Sequence, residues 1–459
     1  MREHTPQPRI YRSGLETSAL KEAFQAGEFP VAVYGLGKMG LPVAGVFGEV
    51  SGNVVGADID SEVVESVNSG KSHVNCEPGL DELVESLVDE GSLSATTSPR
   101  EVAEFANIHI IIVPTTITDD KEPDLSILDA VVDDIAAGLS QGDFIIIEST
   151  VPPQTTEQSV YPTLVDESGL SKDEFGLAFC PERTSSGRAL KDIRGAYPKV
   201  VGGVDAQSTE AAKVIYEVIN DKGVITVKDA TTAEAVKVFE GLYRDVNIAL
   251  ANELSRFTDE MGINVREAIE VANTQPFCNI HEPGPGVGGH CIPFYPYFMI
   301  EPFETETALL ETAREVNDSM PVFTVKKLRE EFDAEDTTLE ETDVLILGLT
   351  YRPGVEEIRA SPSLSIASNL TDDGATVYGA DPVLEEFTAF DLHPISLDSI
   401  YDRSFDAVVH VTPHDEFADL RWEDLTRDKG DLIVIDGRQS LDLSGTDHRV
   451  YTIGSGYDG

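Results

Sequence analysis

The stretch Pro30-Val-Ala-Val-Tyr34-Gly35-Leu-Gly37-Lys38-Met39-Gly40, running on into Leu-Pro-Val-Ala-Gly-Val-Phe47, decides the fold. A short β-branched run ends in a glycine turn and gives way to a helical pattern, the context that turns a weak GxGxxG spacing into a signal. The first glycine permits a tight turn and the second lets the main chain approach a pyrophosphate. The third allows close helix–strand packing, with anionic oxygens at the helix N-terminus. The next strand pattern leads into Asp58, 23 positions after Gly35. A carboxylate there is placed to hydrogen-bond an adenosine ribose and disfavours a 2′-phosphate, which points to NAD rather than NADP.

Outward from this turn the chain alternates strand-like and amphipathic stretches: Pro30–Tyr34, Asn53–Ala57, Ile108–Val113, Phe144–Ile147, Gly176–Phe179 and Lys199–Val201. Such alternation predicts βαβ units and a parallel sheet, with ligands at the carboxyl ends of the strands. Two of those ends carry hydroxyls, Val113-Pro-Thr115-Thr116 and Glu148-Ser149-Thr150. Near Asp229 the grain changes. Thr231-Thr-Ala-Glu234 reads as a capping box opening a helix that runs to about Met261 and stops at Gly262. Its apolar positions Val236, Phe239, Tyr243, Val246, Leu250, Leu254 and Phe257 have helical spacing and demand a buried partner, in the core or in a second subunit. A second α/β pattern follows, with candidate strands Val344–Leu347, Ala375–Tyr378, Ala407–His410 and Leu432–Ile435. The predicted fold is α/β: two Rossmann-like doubly wound domains joined by a central helical region. The expected divisions are an N-terminal extension over 1–28, a NAD-binding domain over 29–222, central helices over 223–320 and a final domain over 321–459.

Against 33 Lys+Arg stand 83 Asp+Glu, a formal charge of −50 spread along all 459 residues. Such a field repels nucleic acid, so no nucleic-acid partner is expected. It suits concentrated salt, where the Debye length shrinks to about 3 Å at 1 M, and so suggests a salt-adapted host. No apolar run approaches the roughly 20 residues of a membrane span, and the first residues lack an apolar signal region. The expectation is a cytoplasmic protein without a membrane partner. Cys76, Cys180, Cys278 and Cys291 show no CxxC spacing, so neither a metal site nor a disulfide framework is expected.

Pro283-Gly-Pro-Gly286-Val-Gly288-Gly289-His290-Cys291 places four glycines in six positions just before a thiol. Glycines let the main chain approach a ligand closely, and a cysteine in such a loop reads as reactive rather than as core packing. With this loop, the Gly35–Gly40 turn, Glu77-Pro-Gly-Leu80, Glu148-Ser-Thr-Val-Pro152, Cys180-Pro-Glu182-Arg183, Tyr243-Arg-Asp-Val-Asn-Ile-Ala249 and Gly348-Leu-Thr-Tyr351-Arg352, the chain resembles the UDP-glucose/GDP-mannose dehydrogenase family. The wording of the cysteine loop, with Asn279-Ile-His281, is similar to the UDP-N-acetylmannosamine and UDP-N-acetylglucosamine branch.

The resemblance implies oxidation of C6 of a UDP-N-acetylhexosamine to a uronic acid, UDP-N-acetylmannosamine being favoured, with two NAD used in succession and a homodimer or larger homo-oligomer built through the central helices. It implies Cys291 as nucleophile, Lys237 as oxyanion stabiliser and Glu182 as the carboxylate that activates water. Gly35, Gly37, Lys38, Met39, Gly40, Asp58, Thr115, Thr150 and Arg359 would hold NAD. Arg183, Arg244, Asn247, His281, Gly288, Tyr295, Tyr351 and Arg352 would hold the UDP-sugar. At about 100° per residue, Lys237, Gly241 and Arg244 share a helix face with Asn247 on its flank. Arg438, in Asp436-Gly-Arg438, is a weaker candidate. The chain departs from the family pattern at Tyr295, where an aspartate is usual four residues after the nucleophile, at Gly241, where many members have asparagine, and at Arg352, where lysine is more common. Rival readings are a UDP-glucose dehydrogenase, a two-electron β-hydroxyacid dehydrogenase with no use for Cys291, and a non-catalytic nucleotide-sugar-binding relative.

Overall fold

The computed structural model describes residues 9–457. They form two compact units, one of residues up to Glu240 with Tyr297–Phe303, the other of Gly241–Pro296 with the chain from Glu304. The long helix contributes its start to the first unit and the rest to the second.

In the first unit the strands are β1 (Val31–Tyr34), β2 (Val54–Ala57), β3 (Leu93–Thr96), β4 (Ile108–Ile111), β5 (Thr116–Ile117), β6 (Pro123–Asp124), β7 (Phe144–Ile147), β8 (Gly176–Phe179), β9 (Lys199–Gly203) and β10 (Val224–Thr226). Eight of them make one sheet in the order β10-β9-β8-β7-β4-β1-β2-β3, and β5 pairs with β6 alone. Reading from β3 to β8 gives the 3-2-1-4-5-6 order of a doubly wound dinucleotide fold. The sheet is parallel except where β8 meets β9, and β3 and β10 escaped the sequence pattern. Along β1, Val31 and Val33 enter one core while Ala32 and Tyr34 enter the other, the period-2 consequence of a sheet covered on both faces.

The stretch read as an extension joins this core from Arg9 onward, residues 1–8 lying outside those described. Ile10, Tyr11, Leu20 and Phe24 are buried, the helix Thr17–Gln25 supplying the last two. Arg9 pairs with the buried Asp143, and the Tyr11 hydroxyl donates to Asp205 at 2.7 Å. The helix buries only Leu20, Ala23 and Phe24, too few positions to register as a periodic pattern.

In the second unit, β11 (Asp343–Leu347), β12 (Thr376–Ala380), β13 (His393–Pro394), β14 (Ala407–His410), β15 (Ile433–Asp436), β16 (Arg449–Thr452) and β17 (Gly456–Tyr457) form a sheet ordered β13-β12-β11-β14-β15-β16-β17. It repeats the first unit's winding and closes with an antiparallel β17.

The helix Ala230–Ser255 departs from expectation at both its start and its faces. Its cap is Asp229, whose Oδ1 accepts from Thr232 N at 2.8 Å. Glu234 closes no capping box. It reaches across to accept from Gln154 N (2.6 Å), Thr156 N (2.7 Å) and Thr156 Oγ1 (2.5 Å). The apolar positions Phe239, Tyr243, Leu250 and Phe257 are about half exposed, whereas Glu234, Asp245, Asn252 and Ser255 are fully buried. Polar residues are stable there because each finds partners: Asp245 accepts from Arg314 and Asn317, and Asn252 donates to Asn317. After Ser255 the helix breaks, resumes over Thr258–Met261 and ends at Gly262 with φ +63°. Among the described residues no helix is long and apolar enough to cross a membrane.

Candidate functional site

The glycine turn after β1 has the geometry its sequence implies. Gly35 has φ +91°, and a Cβ there would lie 2.5 Å from the Ile112 carbonyl oxygen. A Cβ on Gly40 would strike the Gly35 carbonyl, so both positions exclude a side chain. Gly37 differs, since a Cβ there would meet nothing within 4 Å. The space over the second glycine is open for a ligand, and the helix Gly40–Ser51 starts beside it. Asp58 closes the turn by accepting from Leu36 N at 2.7 Å and Asp60 N at 3.0 Å. The same device recurs in the second unit. Gly348 has φ +85°, and Asp381 after β12 accepts from Leu349 N (2.7 Å), Thr350 N (2.9 Å) and Val383 N (3.0 Å), with His414 Nε2 at 3.2 Å. Burial would raise the Asp381 carboxyl, but the bond from His414 and the backbone N–H groups outweigh it and hold the group down at about 2.

At the ends of β4 and β7 the Thr115 hydroxyl donates to the Thr150 carbonyl at 2.6 Å, while Ser149 Oγ accepts from Val113 N at 2.8 Å. These bonds tie the two strand ends into one wall. Beyond β8, Glu182 and Lys237 come together from 55 positions apart, Lys237 Nζ lying 4.0 Å from Glu182 Oε2 with both side chains largely buried. Glu182 also accepts from Thr184 N. Arg183 turns to Glu240, with Nη2 to Oε1 at 2.5 Å, and its guanidinium stacks 5.0 Å from the Tyr197 ring centre. Cys180 is fully buried, and burial pushes its thiol well above the usual range, as expected of a structural cysteine.

In the second unit Cys291 is exposed at the end of its glycine loop. Tyr351 packs on that loop, so a Cβ at Gly288 would come within 2.8 Å of Tyr351 Cβ, and one at Gly289 within 2.8 Å of its ring. Burial raises the Tyr351 phenol; Arg352 and Arg244 oppose that rise while Cys291 and Glu357 add to it, which puts all four within electrostatic reach of one ring. Arg359 accepts Gly289 N on its carbonyl (2.8 Å), and its side chain meets His290 Nδ1 at 3.1 Å. Asn247 accepts from His281 N (2.8 Å) and donates to the Asn279 carbonyl (2.6 Å), so its amide shapes the loop. Burial, then the nearby Arg244 cation, lowers the His281 pKa. The hydroxyl of Tyr295 donates to Cys291 Sγ at 3.2 Å.

The NAD binding domain of the UDP-glucose/GDP-mannose dehydrogenase family matches residues 29–220, its central domain 231–319 and its UDP binding domain 345–443. The UDP-N-acetyl-D-mannosamine dehydrogenase of Pyrococcus horikoshii is 37% identical over 90% of this chain and 96% of its own length. The chain belongs to this family. The solved structure of the UDP-D-ManNAc dehydrogenase from the same organism gives a TM-score of 0.85 at 35% identity, over 93% of this chain and 99% of that one. The NDP-N-acetyl-D-galactosaminuronic acid dehydrogenase of Ralstonia nicotianae is 35% identical, covering 89% of this chain and 95% of the relative. The protein is therefore an NAD-dependent nucleotide-sugar dehydrogenase, and the open space above Gly37 fits its cofactor.

Several residues brace these loops in roles the sequence reading did not assign, although Glu77 stands in the Glu77-Pro-Gly-Leu80 motif. Glu77 accepts from Gly187 N (2.9 Å) and Leu190 N (3.2 Å), bracing the loop after Glu182. Arg266 binds the carbonyls of Ile453 and Pro283 at 2.7 Å each and that of Gly437 at 3.3 Å. Asn252 accepts from Gly284 N at 2.9 Å. Together Arg266 and Asn252 anchor the base of the cysteine loop. Their only sequence signal was polarity on an otherwise helical pattern. Arg438 is half-buried, donating to the Val411 carbonyl at 3.0 Å, and desolvation lowers its pKa to about 10.

Proposed function

We propose that the dehydrogenase oxidises C6 of a UDP-N-acetylhexosamine, UDP-N-acetylmannosamine first among them, to the uronic acid through covalent attachment to Cys291. The observation that carries the reading is the exposed Cys291 thiol on a loop packed against Tyr351, in contrast to the buried Cys180. NAD, held by the glycine turn of Gly35, Gly37 and Gly40 with Asp58, would supply the hydride acceptor for each of the two oxidations of C6. In the proposed sequence Cys291 Sγ adds to the C6 aldehyde to form a thiohemiacetal, which loses the second hydride to become a thioester. Water attacks the thioester carbon, the C–S bond breaks, and the carboxylate and free thiol are released. Lys237 stabilises negative charge on the C6 oxygen, and Glu182 takes the proton from the attacking water. Their 4.0 Å approach supports joint action. Gly35, Gly37, Lys38, Met39, Gly40, Asp58, Thr115, Thr150 and Arg359 are assigned to NAD. Arg244, His281, Gly288, Tyr351 and Arg352 are assigned to the UDP-sugar, with Arg183 and Asn247 shaping its walls.

The acetylhexosamine preference draws on relatives whose names carry that substrate. UDP-glucose is the alternative to exclude, and a non-catalytic relative is the alternative of another class. The half-exposed stripe of Phe239, Tyr243, Leu250 and Phe257 supports a homo-oligomer built on the long helix. The −50 charge supports a salt-adapted enzyme. The test is NADH formed per substrate, read at about 340 nm, the reduced nicotinamide absorbance. It is run in concentrated KCl with UDP-N-acetylmannosamine, UDP-N-acetylglucosamine and UDP-glucose, for wild type and Cys291→Ala. Two NADH per acetylhexosamine, lost in the variant, is the expected result; no turnover with any of the three overturns the substrate assignment.

A further inference from the structure

Two of the positions at which this chain departs from its family's pattern, Tyr295 and Gly241, touch each other. Tyr295 follows Cys291 by one tight turn, in which Phe294 N and Tyr295 N both approach the Cys291 carbonyl, at 3.3 and 3.0 Å. That turn brings the side chain of Tyr295 back over its own start, and the hydroxyl donates to Cys291 Sγ at 3.2 Å. The ring lies on Gly241. A Cβ built on Gly241 would collide with ring atom Cδ2 and lie 3.2 Å from both Cβ and Cγ of Tyr295. Gly241 is buried in mid-helix, where glycine costs about 1 kcal/mol relative to alanine. The ring explains why that cost is borne.

The exchange alters the chemistry offered to the sulfur. An ionised aspartate is acceptor-only and would disfavour a neighbouring thiolate. A phenol stays protonated at neutral pH and donates, which favours the thiolate over the thiol. We propose that Tyr295 is a catalytic residue that stabilises the Cys291 thiolate by hydrogen-bond donation, and that Gly241 is the vacancy its ring requires. The proposal rests on Cys291 being the nucleophile. It turns two separate losses from the family pattern into one coupled replacement. The family's usual aspartate would remove the phenol, and its usual asparagine on the helix would displace the ring.

Alkylation of Cys291 tests this without turnover. The full-length enzyme and its Tyr295→Phe, Gly241→Ala and doubly substituted variants are treated with iodoacetamide across about pH 6 to 9.5, a range spanning the ordinary thiol titration. Modification of the Cys291 peptide is followed by mass spectrometry, and the buried Cys180 must stay unmodified as the check on folding. Loss of a hydrogen bond to a charged group shifts the Tyr295→Phe profile upward by about one pH unit, or about tenfold in thiolate at a given pH below it. Gly241→Ala produces a similar shift although it keeps the phenol, and the double variant shifts no further than either single one. A Tyr295→Phe profile superimposed on wild type overturns the donor role, and an unshifted Gly241→Ala profile overturns the coupling. Retained NADH yield in Cys291→Ala, by contrast, overturns the mechanism on which the proposal rests and leaves the alkylation result standing.

Discussion

Glu234 makes one carboxyl a reporter of how the long helix is fastened to the first unit. It is fully buried and receives hydrogen bonds from Gln154 N, Thr156 N and Thr156 Oγ1. Burial nevertheless outweighs those donors and raises its pKa from 4.5 to about 7. A carboxyl raised on folding stabilises the native state fully below its unfolded value, and that contribution is lost as pH rises through the folded value. The whole difference is on the order of 3 kcal/mol, at 1.36 kcal/mol per unit. Between pH 5.5 and 8 the part lost is about 25-fold in the opening equilibrium, flattening above pH 7. The assay is amide exchange by mass spectrometry on the peptides spanning 150–165 and 228–245, with intrinsic rates corrected for pH. Wild type is expected to lose protection by that factor while Glu234→Gln, which cannot ionise, stays level. A level or rising wild-type profile would refute the reasoning, since it would mean that the three donors hold the carboxylate ionised at all these pH values.

Asp381→Asn replaces an acceptor-only group that serves three backbone N–H groups and His414. The loss is expected to be about 3 kcal/mol at neutral pH, from hydrogen bonds to a charge worth about 1.5–3 kcal/mol each. Trp422 is the single tryptophan and is buried in the second unit, so its fluorescence in urea reads that loss without interference from the first; an unchanged midpoint would show that Asp381 does not brace the Gly348 turn. If Glu182 activates the water, Glu182→Gln slows steady-state turnover by about 10²–10⁴ but leaves a rapid first yield of two NADH per site. Loss of that first yield together with turnover would assign Glu182 to an earlier step.

Much of the candidate site was legible because its signals are local. A glycine at φ +91°, a helix start and an acid at the next strand end lie within one βαβ unit, and the short chain between them leaves few ways to arrange them. Cys291 was likewise marked by its neighbours in sequence. Lys237 and Glu182 were legible only through resemblance, since a lysine on a helix and a glutamate in a loop carry no signal until 55 positions of chain have folded back between them. The bracing roles of Glu77, Asn252 and Arg266 were not legible, although Glu77 stood in a motif that carried the resemblance. Each acts on backbone groups far along the chain, and backbone groups have no sequence identity to pair with.

Sequence by itself determined the alternation of strand and helix, the glycine turn after the first strand, and the reactive setting of one cysteine among glycines, because side-chain period and backbone freedom are properties of adjacent residues. Tertiary structure decided which face of the long helix is buried. Periodicity marks an apolar stripe but not its partner, and here Asp245, Asn252 and Ser255 are buried while Phe239 and Leu250 stay half exposed. It also decided what Glu234 caps and what fills the space at Gly241. Both depend on contacts between segments distant in sequence, whose burial and donor geometry come into being only when the chain has closed on itself.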